Sequence, residues 1–107
     1  MVDSILDNLS LRTQRKAEIR LELSVQTSSQ KINELLAKAE MLLQQEDDIQ
    51  THSVILNDIG LKSITVLVEY FTSSIEFNRF QQLKQTINLH LLRAMEDLQI
   101  ELAGSKE

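Results

Sequence analysis

The order of its periodic segments predicts an α+β fold for this chain, with two helices packed on one face of a four-stranded sheet. One strand is a run of strictly alternating apolar and polar residues near the start of the chain. A second, over residues 63–72, is β-branched, apolar at most positions and aromatic at its end. Each is followed by a segment whose apolar residues recur at helical spacing, so the full order reads β-α-β-β-α-β.

Composition limits the class of protein before any motif is considered. The chain has 107 residues, 42% hydrophobic and 25% charged, which is typical of one globular domain. It has no cysteine, which excludes disulfides and thiolate metal sites. The net charge of -5 argues against a nucleic-acid surface. No apolar run approaches the ~18 residues of a membrane span, and residues 1–4 do not resemble a signal peptide. We therefore expect a soluble, intracellular type of chain.

The first strand and helix are predicted over residues 17–46. Odd positions from Ala17 to Val25 are apolar and even positions are charged or polar, which indicates a strand with one wet face. Thr27 and Gln30 have the spacing of a capping box, which predicts the start of a helix. The predicted helix ends near Glu46, where acidic residues oppose its dipole. Its apolar stripe consists of Ile32, Leu35, Leu36, Ala39, Leu42 and Leu43.

The second half repeats this order. Residues 54–56 predict a strand that is apolar on both faces, and residues 64–71 predict a central strand. Ser73 and Glu76 again have capping-box spacing before a helix, and residues 100–102 predict a short last strand. The apolar stripe of the second helix consists of Phe77, Phe80, Leu83, Ile87, Leu91, Ala94, Met95 and Leu98.

With right-handed crossovers, this order is a two-layer ferredoxin-like βαββαβ sandwich. The first and third strands are then central, and the second and fourth lie at the edges. The predicted core consists of Leu21, Leu23, Leu36, Leu43, Val66, Val68, Phe80, Ile87 and Leu91.

The residues indicate no reaction centre. The loop over residues 26–29 lacks the Gly and Arg of a phosphate site, and the first strand offers charges in place of the stacking aromatics of an RNA-binding sheet. His90 has no Ser, Cys or second His placed to act with it. Glu46, Asp47, Asp48 and His52 match no metal-binding spacing. We expect no catalytic residue, cofactor, metal, nucleic acid or small-molecule substrate.

Several apolar residues lie where a two-layer fold does not bury them. Leu89 is about half a turn and Leu92 about a third of a turn from the stripe of the second helix. Met41 is opposite the stripe of the first helix, and Ile5 and Leu9 belong to an N-terminal segment too apolar for a solvated tail. We predict that these five side chains contact other copies of the chain; for the segment of Ile5 and Leu9, packing on the domain's own edge is the alternative. The basic residues Arg12, Arg15, Lys16 and Arg20 are interpreted instead as the solvated entrance to the first strand.

The chain resembles the last cytoplasmic domain of small-conductance mechanosensitive ion channels. The resemblance begins at residues 8–12 and Arg15, continues through the alternating strand and the Thr-capped helix, and includes residues 63–72 and 87–89. It covers nearly the whole chain. The chain departs from the family's pattern before the third strand, at Gln99, and after the last strand.

The resemblance implies a homo-oligomeric channel whose subunits form a ring around a cytoplasmic vestibule and which opens on membrane tension. Residues 1–15 would be the remnant of a preceding β-domain or linker, residues 16–103 the ferredoxin-like C-terminal domain, and residues 104–107 a tail. The parent protein would be integral to the cell inner membrane, with this soluble domain on its cytoplasmic face.

Two other functions remain open at this point. One is a free-standing ferredoxin-like regulatory module that binds a small metabolite, which would need a polar pocket at the strand–helix loop over residues 26–29. The other is a small enzyme on the same fold, which would need a cluster of titratable groups with perturbed pKa values.

Overall fold

A computed structural model describes residues 14–103 of the chain as five elements. In chain order they are β1 (Arg15–Leu23), α1 (Ser29–Gln44), β2 (Ile49–Ile59), β3 (Ile64–Thr72) and α2 (Phe77–Leu98). Over these residues the fold is α+β, with a three-stranded sheet and two helices.

The sheet is antiparallel, with β3 in the middle and the order β1-β3-β2. All nine residues of β1 pair with β3 in an unbroken register, from Arg15 opposite Thr72 to Leu23 opposite Ile64. The pairing of β2 with β3 has two irregularities, after Ile49 and after Leu56. The middle position of β3 agrees with the central strand that its sequence predicts, and Ile64, Val66, Val68 and Tyr70 are buried.

Both helices pack on one face of the sheet. The odd-numbered residues of β1 and the even-numbered residues of β3 turn toward the helices, and α1 also contacts β2 and α2. The opposite face is open and carries the charged residues of β1. The predicted core is buried except for Leu21 and Leu36, which are half-buried, and Val25, expected to point inward, is 45% exposed beyond the end of β1.

The predicted fourth strand is reduced to one bridge, between Leu23 and Leu102. Two hydrogen bonds flank it: Ser24 N donates to Glu101 O at 2.8 Å, and Ala103 N donates to Glu22 O at 2.8 Å. The chain reaches this position after Gln99 caps α2 in the left-handed region at φ 60°, and buries Ile100 on the way. Residues 101–103 are too few to form a strand along β1. The prediction that β1 is central is therefore wrong over most of its length, within the described residues.

Both predicted capping boxes are wrong. Ser28 caps α1, because its side-chain oxygen accepts a hydrogen bond from Lys31 N at 3.2 Å. The Thr27 hydroxyl donates instead to Ser24 O at 2.7 Å, within the preceding turn. Helix α2 begins after Glu76, whose side chain makes no capping bond. Three residues after Ser28 comes Lys31, so the true N-cap of α1 does not have capping-box spacing and that spacing could not identify it. The second strand is also longer than its predicted apolar centre at residues 54–56.

Candidate interaction surfaces

Three of the predicted contact residues lie on the surface of the helices. Met41 is 58% exposed, Leu89 52% and Leu92 48%. Ile5 and Leu9 lie outside the described residues. The exposure makes the three helical side chains available to a partner, and their contact with another copy stays a prediction.

The structure does not bring these three side chains to one surface. Met41 lines a shallow groove of about 250 Å³ between α1 and α2, beside Lys38, His90 and Arg93. Leu92 lines a different groove, between α2 and β1. The two grooves lie on opposite sides of α2, so one partner surface cannot cover both.

The larger groove, which we call the β1–α2 groove, has a volume of about 500 Å³. It lies where a full fourth strand would have packed. Its apolar floor and walls come from Ala17, Ile19, Leu21, Tyr70, Leu91, Leu92, Met95 and Leu102. Lys84 and Asn88 add polar groups from α2. The missing strand therefore leaves an apolar groove open at the side of the domain.

Over residues 14–103, no strand lies beside most of the outer edge of β1. The bonds of Glu22 O and Ser24 N to residues 101–103 show that the even-numbered backbone groups point away from β3. In the described part of the chain, the backbone groups of Lys16, Glu18 and Arg20 have no strand beside them. Such a row of free N–H and C=O groups is a template for pairing with another strand.

The basic residues predicted at the entrance to the first strand do not share one environment. Arg15 turns inward: its Nε donates to Ile75 O at 3.0 Å, and its guanidinium lies 5.4 Å and 5.8 Å from the ring centres of Phe77 and Phe80. It therefore joins β1 to the start of α2. Lys16 and Arg20 are exposed, and Arg12 lies outside the described residues.

The acidic residues near His52 are engaged with other side chains. Asp48 Oδ2 accepts a hydrogen bond from Arg79 Nε at 2.7 Å, and His52 Nε2 lies 2.8 Å from Glu40 Oε1. The pairing with Asp48 raises the pKa of Arg79 above its ordinary value. Within residues 14–103, no group of three or more His, Cys, Asp or Glu side chains is arranged to hold a metal ion.

Tyr70 is the buried titratable group of the core. Its side chain is fully buried and its hydroxyl has no hydrogen-bond partner among the described residues. Burial, reinforced by the Glu46 carboxylate, raises the pKa of Tyr70 to about 12. A neutral phenol of this kind supplies neither a base nor a nucleophile near neutral pH.

A polar pocket of about 260 Å³ lies at the loop between β1 and α1. It is lined by Ser24, Gln26, Thr27, Lys31, Gln99 and Glu101. The Lys31 ammonium donates to Gln99 O at 3.4 Å across it. This is the feature that a metabolite-binding module would need, and it is built from the end of α2 as well as the predicted loop.

Sequence reasoning missed the exposed apolar side chains of the turn between β2 and β3. Leu61 is 99% exposed and Ile59 is 70% exposed. The signal was present, because an apolar residue in a predicted turn has no core to enter. It also missed the free edge of β1, which depends on how little of the last strand forms.

Comparison with known proteins shows similarity in fold. No protein-family model matches the chain, and no curated protein matches it. A crystal structure of Helicobacter pylori MscS in its closed state matches 83% of this chain at 15% identity and a TM-score of 0.58. A C-terminal segment of the alpha subunit of aIF2 from Pyrococcus abyssi matches 97% of it at 16% identity and a TM-score of 0.59.

The two solved structures belong to different kinds of protein, so the likeness establishes the fold alone. The chain spans 34% of the MscS chain and 58% of the aIF2 segment. Neither of the two helices in residues 14–103 combines the length and apolar character needed to cross a membrane.

Proposed function

We propose that this chain is the cytoplasmic C-terminal structural and oligomerisation domain of a mechanosensitive ion channel that opens on membrane tension. The observation that carries the proposal is the match of 83% of the chain to Helicobacter pylori MscS. The match supports the proposal because the sequence resembles the same channel family over nearly its whole length. The aIF2 segment matches 97% of the chain at 16% identity, so the choice between the two rests on the residue pattern described in the sequence analysis.

The proposed domain acts by packing and performs no chemistry. Among its described titratable side chains, Asp48 is paired with Arg79 on the surface, and Tyr70 is buried in the core with its pKa raised to about 12. Its exposed apolar residues are dispersed over two helix faces, a groove and a turn. Such a distribution suits a domain with neighbours on several sides, as a subunit in a ring has.

In this proposal the domain is located at the cytoplasmic face of the cell inner membrane, and the parent protein lies in the membrane. Its partners are other copies of the same chain. Residues 1–14 contribute to assembly, because Ile5, Leu9 and their apolar neighbours need a surface to cover them.

Static light scattering of the full chain and of a variant lacking residues 1–14 tests the assembly. We expect the full chain to exceed its 12.3 kDa monomer mass at high concentration, and the truncated chain to have a lower average mass. A thermal unfolding curve of the truncated chain controls for loss of the fold. Monomeric mass for both chains at millimolar concentration would show the assembly proposal to be wrong.

A further inference from the structure

We propose that the free edge of β1 pairs with the β1 edge of a second copy of this chain, antiparallel and centred on Ile19. The contact is a two-fold one, since each copy presents the same strand to the other. It differs from the head-to-tail contacts that close a ring, so the inference is independent of the function proposed above.

Of the two edges of the sheet, β1 is the one suited to pairing. The β2 edge is irregular at two places, and such bulges twist an edge away from a partner. The register of β1 is unbroken over nine residues. Residues 101–103 cover the far end of β1 and leave residues 15–21 open.

The charges of β1 are complementary to those of a second β1 in one register. With Ile19 opposite Ile19, Glu18 of each copy faces Arg20 of the other, and Lys16 comes next to Glu22 at the ends of the contact. Moving the centre to Glu18 or Arg20 places like charges opposite each other. A register shifted by one residue, so that Ile19 of one copy faces Glu18 or Arg20 of the other, places the charged side chains opposite the apolar ones. Centres at Ala17 or Leu21 place Gln14 opposite Arg20 or Ser24 opposite Glu18, so only the Ile19-centred alignment gives both Glu18 and Arg20 an oppositely charged partner.

The hydrogen-bonding groups agree with this alignment. The backbone groups of Glu18 and Arg20 point outward, because Glu22 O and Ser24 N do so and direction alternates along a strand. Glu18 facing Arg20 is then a hydrogen-bonded pair in each half of the contact. Ile19 facing Ile19 is the closer, non-hydrogen-bonded pair at the two-fold axis.

Within residues 14–103, neither central charge lies opposite a residue of opposite charge. Glu18 lies opposite Glu69 of β3, and Glu69 is paired with Lys16 at 3.8 Å. Arg20 lies opposite the apolar Leu67. Among the described residues, no ion pair includes Glu18 or Arg20. A second copy supplies the missing partner to both.

The helix side of the contact is apolar. Ala17, Ile19 and Leu21 lie on the groove side of β1, and Leu92, 48% exposed, borders the same groove. Edge pairing brings the β1–α2 grooves of both copies together and reduces their exposure to water. Residues 102 and 103 limit the paired stretch to residues 17–21, so we expect a weak, concentration-dependent contact.

Reciprocal charge reversal in the full chain tests the register. In Glu18→Arg every facing pair is Arg with Arg, and in Arg20→Glu every facing pair is Glu with Glu. We expect each variant alone to have a lower mass than the wild type in sedimentation at millimolar concentration. Their equimolar mixture restores opposite charges at both positions, so we expect it to recover the wild-type mass. Glu34→Arg makes the same charge change as Glu18→Arg at an exposed position of α1 and should leave the mass unchanged.

Disulfide trapping locates the contact independently of any association through residues 1–14. The chain has no native cysteine, so Glu18→Cys and Arg20→Cys introduce the reactive groups. Facing residues of such a pair have Cα atoms about 5.5 Å apart, which a disulfide can span. We expect the mixture to form far more disulfide dimer under mild oxidation than either variant alone.

Three results would contradict the proposed pairing of β1 edges. A wild-type mass that equals the monomer at millimolar concentration overturns the proposal. So does a wild-type mass that persists in both charge variants, since the association then lies elsewhere. Equal disulfide yield in the mixture and in each single cysteine variant would rule out the Ile19-centred register.

Discussion

Glu18 of β1 lies directly opposite Glu69 of β3 on the open face of the sheet. Two carboxylates at facing positions repel each other, and the Lys16 ammonium, 3.8 Å from Glu69, offsets this only in part. This repulsion lowers the stability of the single domain at Glu18, the residue that faces Arg20 of a second copy in the proposed edge contact.

Replacing Glu18 by Arg should therefore stabilise the isolated domain. An opposite-charge pair with Glu69 replaces a like-charge pair, so we expect the free energy of unfolding to rise by about 0.2–1 kcal/mol. Urea unfolding at low-micromolar concentration, where self-association contributes little, measures this change. Glu22→Arg is the matched control, because Glu22 lies opposite the uncharged Thr65. A stability gain of the same size in that control would refute the like-charge explanation.

The packing of α2 on the sheet predicts large losses from truncation of its buried side chains. Leu91 is 2% exposed and Phe80 is 7% exposed. We expect Leu91→Ala and Phe80→Ala each to lower the free energy of unfolding by about 3 kcal/mol. Leu89→Ala, on the exposed side of the same helix, should change it by less than about half a kcal/mol. Equal effects at positions 89 and 91 would mean that the helix does not pack by this face.

Tyr70 predicts a loss of stability at alkaline pH. Its pKa is raised in the folded chain from 10.0 to about 12, so folding favours the neutral phenol. The contribution of the neutral Tyr70 phenol to the free energy of unfolding is fully present below pH 10. It is lost as the pH rises to about 12, by an amount on the order of 2 kcal/mol.

Tyr70→Phe isolates this contribution from other groups that titrate at high pH. Its stability near neutral pH should equal or slightly exceed that of the wild type, because the buried hydroxyl has no partner. The difference between the two chains should then grow between pH 10 and 12 in chemical unfolding. A parallel pH dependence in both chains would show that Tyr70 is not the responsible group.

The pairing of Asp48 and His52 with other side chains predicts that the chain holds no metal ion. Asp48 is held by Arg79 and His52 lies against Glu40, so neither is free to converge on an ion. We expect elemental analysis of the purified chain to find no transition metal near stoichiometric amounts. Retention of one metal ion per chain through dialysis would contradict this.

The sequence was sufficient for the parts of the fold that depend on periodicity. The alternation of β1, the apolar character of β3 and the helical stripe through Phe80, Ile87 and Leu91 each identified a buried face. Local polar chemistry was less informative, because adjacent residues such as Thr27 and Ser28 can cap the same helix.

The candidate surfaces could be predicted only in part. Met41, Leu89 and Leu92 were recognised as exposed from helical geometry, since that depends on one element. The free edge of β1 depends on how much of residues 100–103 pairs with it, which is a tertiary property. The pairing of Glu18 with Glu69 depends on the register of two strands far apart in the chain. Neither is visible in a local pattern.

A grafted channel tests whether this chain can serve as the cytoplasmic domain of a mechanosensitive channel. In Helicobacter pylori MscS, the segment that matches this chain is replaced by residues 15–103, and current is recorded from membrane patches under increasing suction. Two control grafts test whether the current needs this particular domain, correctly folded, or only a domain of the same fold. One carries Phe80→Ala in the grafted segment, and the other carries the aIF2 segment, which has a similar fold.

We predict tension-activated current in the graft, close to that of the parent channel, and its loss or sharp reduction in both controls. Absence of current from a graft that reaches the membrane in normal amounts would contradict the proposed function. Equal current from the aIF2 graft would show that the fold alone is sufficient, and would remove the support for assigning this chain to a channel.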